Sequence, residues 1–373
     1  MTDEDRLTWL DALRLVAGLS MVGLHATSDP NGLPWPDYSV SDRVVPVILR
    51  SVLYIARTEL FLIISAFLLL MALEKRPKTY REVIVIQSRR LLIPFVFWTV
   101  FYAAFGLIKA ANFGYFKDAL QDISYVSTWV RYVLLGDVKY HMHFIPTLFG
   151  MLLFFPIFKV ASKYPIVGLM IFPALLVKWE VDAYLYTNFW EHDILPFAVR
   201  VTKIVTYVGY GILAGSAYGL WKRRRSVDLT QFVPIVLFVA GLLVAVKWIE
   251  AARIVSTGEY QFSYLAGYWA NFLMPGALFC LCLCSGGRSW PHVLSRAAPF
   301  SFGVYLVHPT FLDVAEILFV QSVFAPSLQV IGKILIVLPS TFLAVFLLSK
   351  CRALAWTIGL GPLPIKPSRT VRA

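Results

Sequence analysis

The run LTWLDALRLVAGLSMVGLHA places Asp11, Arg14 and His25 inside an otherwise apolar segment. An ionisable side chain at the centre of a bilayer helix costs roughly 2.5–3.5 kcal/mol or more, so an unneeded one is usually absent. Arg14 and His25 are eleven positions apart, close to three helical turns, and so face nearly the same side. Asp11 lies one turn below Arg14, where the two can pair. The histidine is then about 16 Å along the axis from the arginine. Imidazole is the side chain best suited to move a proton near neutral pH. The stripe therefore suits one wall of an active site within the membrane, with His25, Arg14 and Asp11 as its catalytic candidates. Plainer roles stay open: Arg14 pairing with Asp11 to hold helices together, and His25 as a hydrogen-bonded packing residue.

The elements that must position these groups are membrane helices. The chain has 373 residues, 58% hydrophobic and 15% charged, with a mean hydropathy of +0.70. A soluble domain has about 45–50% apolar and about 25% charged residues. An integral membrane protein is expected, all-α, with residues 1–373 forming one domain. Its core runs over about 7–350, and 351–373 reads as a basic cytoplasmic tail. The acidic start MTDEDRL lacks the basic opening and cleavage site of a secretory signal, so the first helix is expected to be retained.

About ten spans of the ~20 residues needed to cross the hydrocarbon core are expected. They fall at 8–26, 46–73, 91–110, 143–161, 166–180, 198–220, 231–249, 264–285, 298–320 and 330–350. The net charge of +12 is carried in short loops, which fits the positive-inside rule and argues against nucleic acid. With the N-terminus inside, the cytoplasmic segments hold Lys75, Arg76, Lys78, Arg81, Arg89, Arg90, Lys159, Lys163, Lys222, Arg223, Arg224, Arg225, Arg288 and Arg296. The outer loops hold only Arg43, Lys117, Arg131, Lys139 and Arg253. Both termini are thus expected to be cytoplasmic, with His25 near the outer face. Trp and Tyr gather in the outer loops, where they can anchor the protein or stack on sugar rings. Cys280, Cys282 and Cys284 form CLCLC within an apolar run and lack zinc-ligand spacing, and HMH at 141–143 is too thin for a metal site. No metal is expected.

Four patterns stand in order along the chain: LDALRLVAGLSMVGLHA, TELFLIISAFLLL, SRRLLIPFVFWTVFY and SFGVYLVHP. Together they resemble the membrane-bound acyltransferase family three, which includes bacterial O-acetyltransferases and O-succinyltransferases of surface polysaccharides. The resemblance runs from about residue 7 to 350. It implies about ten helices in the bacterial inner membrane, and acyl-CoA (succinyl-CoA or acetyl-CoA) as a cytoplasmic donor. The implied acceptor is a sugar hydroxyl on a polysaccharide or lipid-linked oligosaccharide, within a polysaccharide-synthesis complex. His25 matches the family's essential histidine, Arg14 its helix-one arginine, and Arg89 and Arg90 its basic cluster before the third helix. Arg14, Arg89 and Arg90 are accordingly the coenzyme A candidates. Three positions depart from the pattern. Ile86 and Gln87 replace one arginine of the usual spaced pair, Ala66 replaces a glycine, and His143 stands where tryptophan is common.

The chemistry is sound on its own terms. A sugar hydroxyl is a poor nucleophile, and a positioned base supplies about 10²–10⁴-fold; His25 can be that base or a transient acyl acceptor, and the sequence leaves both routes open. Arginines at a helix start suit the phosphates of coenzyme A, although Arg89 and Arg90 equally satisfy the positive-inside rule. Arg57, Glu59, His143 and Arg200 are the candidate substrate contacts. Arg57 with Arg50, and Arg200 with Lys203, could meet the carboxylate of a succinyl group, a slight preference over acetyl. His308 reads as structural or as part of a polar pocket, and solvation suffices for His141, His143 and His192. A proton-coupled transporter or polysaccharide flippase is the main alternative, disfavoured because no internal repeat is visible. A non-catalytic scaffold is the third reading.

Overall fold

The computed structural model describes residues 7–224, 226–286, 290–319 and 324–363. Arg225, Arg288 and the last ten residues of the expected tail lie outside them. Among the described residues all regular structure is helical. In chain order the α-helices are α1 (Thr8–Ala26), α2 (Val40–Leu53), α3 (Thr58–Lys75), α4 (Tyr80–Phe113), α5 (Phe116–Asp122), α6 (Val126–Leu135), α7 (Phe144–Leu152) and α8 (Phe155–Lys163). There follow α9 (Ile171–Asn188), α10 (Leu195–Lys222), α11 (Val233–Thr257), α12 (Leu265–Cys284), α13 (His292–Ala297), α14 (Ser301–Phe319) and α15 (Pro326–Lys350).

Among the described residues seven stretches are long and apolar enough to cross a membrane, or eight with the α7–α8 pair, which is bent by 60°. This is a multi-pass membrane protein. The expected stretches fall on helices or helix pairs, but α1 and α9, expected as the first and fifth spans, are not among these eight; other differences have local causes. The span expected at 46–73 is two helices, because Arg57 is extended (φ −68°, ψ 172°) where it starts α3. The span expected at 91–110 is the middle of a longer helix. Thr79 and Glu82 form a capping box that starts α4 well before its apolar part. The span expected at 166–180 begins as a 3-10 turn and continues as α9 to Asn188.

Packing explains which helices carry the site. α1 and α3 are buried along most of their length, and Trp9 meets Phe67 and Phe279 edge-on at 5.9 and 5.6 Å. α1 packs on α14, which packs on α15. On α10, Gly211, Gly215 and Gly219 let α8 approach closely. A Cβ at Gly215 would lie 2.3 Å from the Phe158 carbonyl oxygen, and one at Gly219 2.2 Å from that of Ser162. Small residues at this spacing are how helices associate in lipid, where close packing replaces the hydrophobic drive.

The first part of the stretch after α15 packs on the bundle. Ala355–Ile358 forms a buried 3-10 turn, and Trp98 Nε1 on α4 donates to the Thr357 carbonyl at 2.8 Å. Alanine, tryptophan and isoleucine there have apolar surface to bury, so this part of the chain belongs to the bundle and is no free tail.

Candidate functional site

His25 occupies the last turn of α1. Its ring lies 4.2 Å from that of Tyr140 and 5.6 Å from that of His308, between centroids. The His308 ring in turn lies 5.3 Å from that of His141. Three imidazoles from distant parts of the chain thus share one cluster. His25 is half-buried, and its ring makes no hydrogen bond among the described residues. It is therefore open to an incoming hydroxyl, as a general base must be.

The orientation of His308 follows from the residue after it. Pro309 has no N–H, so the Tyr305 carbonyl loses its helical partner. His308 Nδ1 fills the gap, 2.9 Å from the Tyr305 oxygen and 3.2 Å from that of Val304. Both are acceptors, so Nδ1 carries the proton and Nε2 keeps a lone pair. That Nε2 is buried with no partner among the described residues, as are both ring nitrogens of His141.

The segment 136–143 delivers Tyr140, His141 and His143, and it is pinned from several sides. Gly136 turns with φ +70°, and a Cβ there would lie 2.7 Å from the Met142 carbonyl oxygen and from His143 Cα. Arg200 Nη1 donates to the His143 carbonyl (2.9 Å) and to Thr147 Oγ1 (2.8 Å), while Nη2 donates to the Leu135 carbonyl (2.6 Å). Lys139 donates to Asp313 on α14 at 2.7 Å; Lys109 on α4 pairs with Asp313 at 3.3 Å and also with Glu316. The Tyr305 hydroxyl donates to the His141 carbonyl. His141 is 2% exposed, so solvation does not account for it. Burial, reinforced by the neighbouring imidazoles and Lys139, holds its pKa well below the usual imidazole range. His143 is half-buried, with Nδ1 2.6 Å from the Tyr140 carbonyl oxygen.

Arg14 lies 3.8 Å from Asp11, as the spacing suggested. Towards the end of α1 away from His25, Arg14, Gln87 and Arg90 line a cavity of about 160 Å³. The cavity is bounded towards the histidines by Phe61, Phe144 and Tyr305, whose rings lie 5.4–6.5 Å apart. Arg89 is exposed and does not line it. Gln87, one of the departures from the family pattern, does.

The expected substrate contacts separate. Arg57 grips Glu59 through two bonds, Nε to Oε2 at 3.1 Å and Nη2 to Oε1 at 3.2 Å. The Tyr207 hydroxyl donates to Glu59 Oε1 at 2.8 Å. The Arg57 guanidinium lies between the Tyr54 and Phe272 rings, 4.4 Å from each centroid. Arg200 is engaged by the loop described above. Sequence reasoning missed His308, His141 and Tyr140 as neighbours of His25. The signal for His308 was a histidine–proline pair inside an apolar helix; nothing local marked the other two.

A family model described as an acyltransferase domain matches residues 7–350. No curated protein and no solved structure matches the chain.

Proposed function

The chain belongs to acyltransferase family 3, and on that premise we propose that it is an acyl-CoA-dependent O-acyltransferase acting on a sugar hydroxyl of an exported or lipid-linked polysaccharide. It lies in a bacterial inner membrane with ten spans and both termini cytoplasmic. The observation that carries the reading is the convergence of Arg14 and Arg90 on one cavity that ends at Tyr305. Tyr305 and His308 share α14, and His308 stacks on His25. Cationic groups for the donor's phosphates and a base for the acceptor therefore lie on opposite sides of one aromatic partition. Charge distribution supports the orientation, because Lys222 pairs with Glu74 and Arg223 donates to the Lys163 carbonyl at the end away from His25.

In the step so proposed, His25 takes the proton of the acceptor hydroxyl as its oxygen attacks the thioester carbonyl. The carbon–sulfur bond then breaks, and coenzyme A leaves as a thiolate that gains a proton. Arg57 is neutralised by Glu59, and Arg200 is held by backbone carbonyls. The succinyl preference, which rested on Arg50, Arg57, Arg200 and Lys203, is weakened at these two positions, and both acetyl-CoA and succinyl-CoA are carried as donors.

The test compares surface polysaccharide from a deletion strain with that of strains restored by wild type or by His25→Ala. Mass spectrometry scores ester-linked acetyl and succinyl groups. One ester should vanish on deletion and return only with wild type. Persistence of every ester in the deletion would overturn the reading and favour a transporter.

A further inference from the structure

At the end of the bundle that carries His25, α2, α11, α12 and residues 260–262 enclose a second cavity, of about 320 Å³. Three cations line it: Arg50, Arg57 and Lys247. Glu59 neutralises Arg57. Glu250 is the only acid among the lining residues, and its carboxylate accepts from Asn271 Nδ2 at 2.8 Å. Lys247 donates to Asn271 Oδ1 and makes no ion pair among the described residues. Arg50 uses Nη1 for the Leu24 carbonyl (3.2 Å) and Ser28 Oγ (2.9 Å). Its Nε and Nη2 donate to nothing among the described residues. With Arg50 and Lys247 both protonated, one positive charge is left in excess.

The placement of Lys247 is the telling point. On α11 only Lys247, Ala251 and Ile254 are buried, and the lysine is 3% exposed. A helix that otherwise faces outward turns its one buried charge into this cavity. An ammonium group in such a place is costly unless something neutralises it. The walls add aromatic faces, with the Arg50 guanidinium 4.8 Å above the Tyr260 ring and the Lys247 ammonium 4.8 Å above that of Tyr54. The volume falls within the usual range of a small-molecule site, about 300–1,000 Å³.

We infer that this cavity is a subsite for a carboxylate carried by the acceptor, a uronic-acid residue of the glycan, bound by Arg50 and Lys247. A guanidinium edge and an ammonium match a carboxylate through charge-assisted hydrogen bonds. The tyrosine and phenylalanine faces suit a pyranose ring, which a small inorganic anion would leave unused. Arg50 also holds the carbonyl of Leu24, so the cavity wall is joined to the turn of α1 that carries His25. That the carboxylate belongs to the acceptor rests on the O-acyltransferase reading.

The test uses the full chain in phosphatidylcholine nanodiscs and calorimetric binding of trigalacturonate and of neutral maltotriose. Wild type should prefer trigalacturonate at least tenfold, and Lys247→Met should lose that preference while Lys247→Arg keeps it. Thermal unfolding of each variant checks that it is folded. Equal binding of the two sugars, no binding of trigalacturonate, or a preference that survives in folded Lys247→Met overturns the subsite. Loss of trigalacturonate binding when phosphatidylglycerol is added would assign the anion to a lipid headgroup and overturn the acceptor assignment. So would a loss in Lys247→Met of turnover with succinyl-CoA beyond that with acetyl-CoA, which places the carboxylate on the donor. Binding needs no turnover. Wild type that releases no coenzyme A from either thioester would therefore sink the acyltransferase reading and leave the carboxylate site standing.

Discussion

The rings of His25 and His308 lie nearly parallel, 20° apart in plane and 5.6 Å between centroids, though they come from the first helix and from α14. Pro309 sets this arrangement by freeing the carbonyl that His308 Nδ1 then engages. His308 is thus held in one tautomer, with its ring stacked on that of His25.

His25→Ala should lower acyl transfer by roughly 10²–10⁴-fold, the usual contribution of a general base. Binding of acyl-CoA should be kept. Single-turnover rates and equilibrium donor binding, measured on one preparation, separate the two. A variant that transfers at the wild-type rate would remove His25 from the chemistry.

His308→Gln should lower kcat by less than His25→Ala and should displace the pH–rate profile, because the neighbour that orients and electrostatically biases the base has changed. A purely structural role would lower the melting temperature and leave the profile in place.

Arg90→Gln should raise KM for acyl-CoA by about tenfold, the effect of removing one charge-assisted contact to a phosphate. Arg89→Gln, at an exposed residue outside the cavity, should change KM little. Equal effects of both would point to general surface charge.

Gly136→Ala places a side chain in left-handed backbone, a cost of about 1–3 kcal/mol, and drives its Cβ against the Met142 carbonyl. Both melting temperature and activity should fall. The corresponding change at Gly106, where a Cβ meets nothing within 4 Å, should be harmless to both.

Stability should fall in acid. In the unfolded chain an imidazole titrates near about 6.5, whereas burial keeps His141 neutral to lower pH. The unfolded state therefore binds the extra proton first. The stabilisation is whole above the unfolded value and is lost as pH falls below it towards the folded one. Melting curves between pH 7 and 5 should show this loss, and His141→Asn should reduce it.

Much of this was legible in the chain. The polar stripe on α1 and the positions of most of the apolar runs follow from composition and period, which are local properties. The Arg14–Asp11 pair does too. What the sequence hid depends on contacts between remote segments. His141 looks like a loop residue until Tyr305 and Asp313 draw its loop onto α14. Arg57 and Arg200 look like ligand contacts because their partners, Glu59 beside one and two backbone carbonyls and one hydroxyl beside the other, engage them only in the fold.

Lys109 enters the membrane on α4, but the carboxylates that pair with it, Asp313 and Glu316, arrive with α14 some two hundred residues later. At a synthesis rate of about 5–20 residues per second, that lysine waits on the order of 10–40 s for them. Lys139 waits for Asp313 as well, and with it the loop that bears Tyr140 and His141. The end of the bundle that carries His25 is therefore completed late during biogenesis, and a truncated or still-growing chain holds His25 without the α14 partners that fix its surroundings.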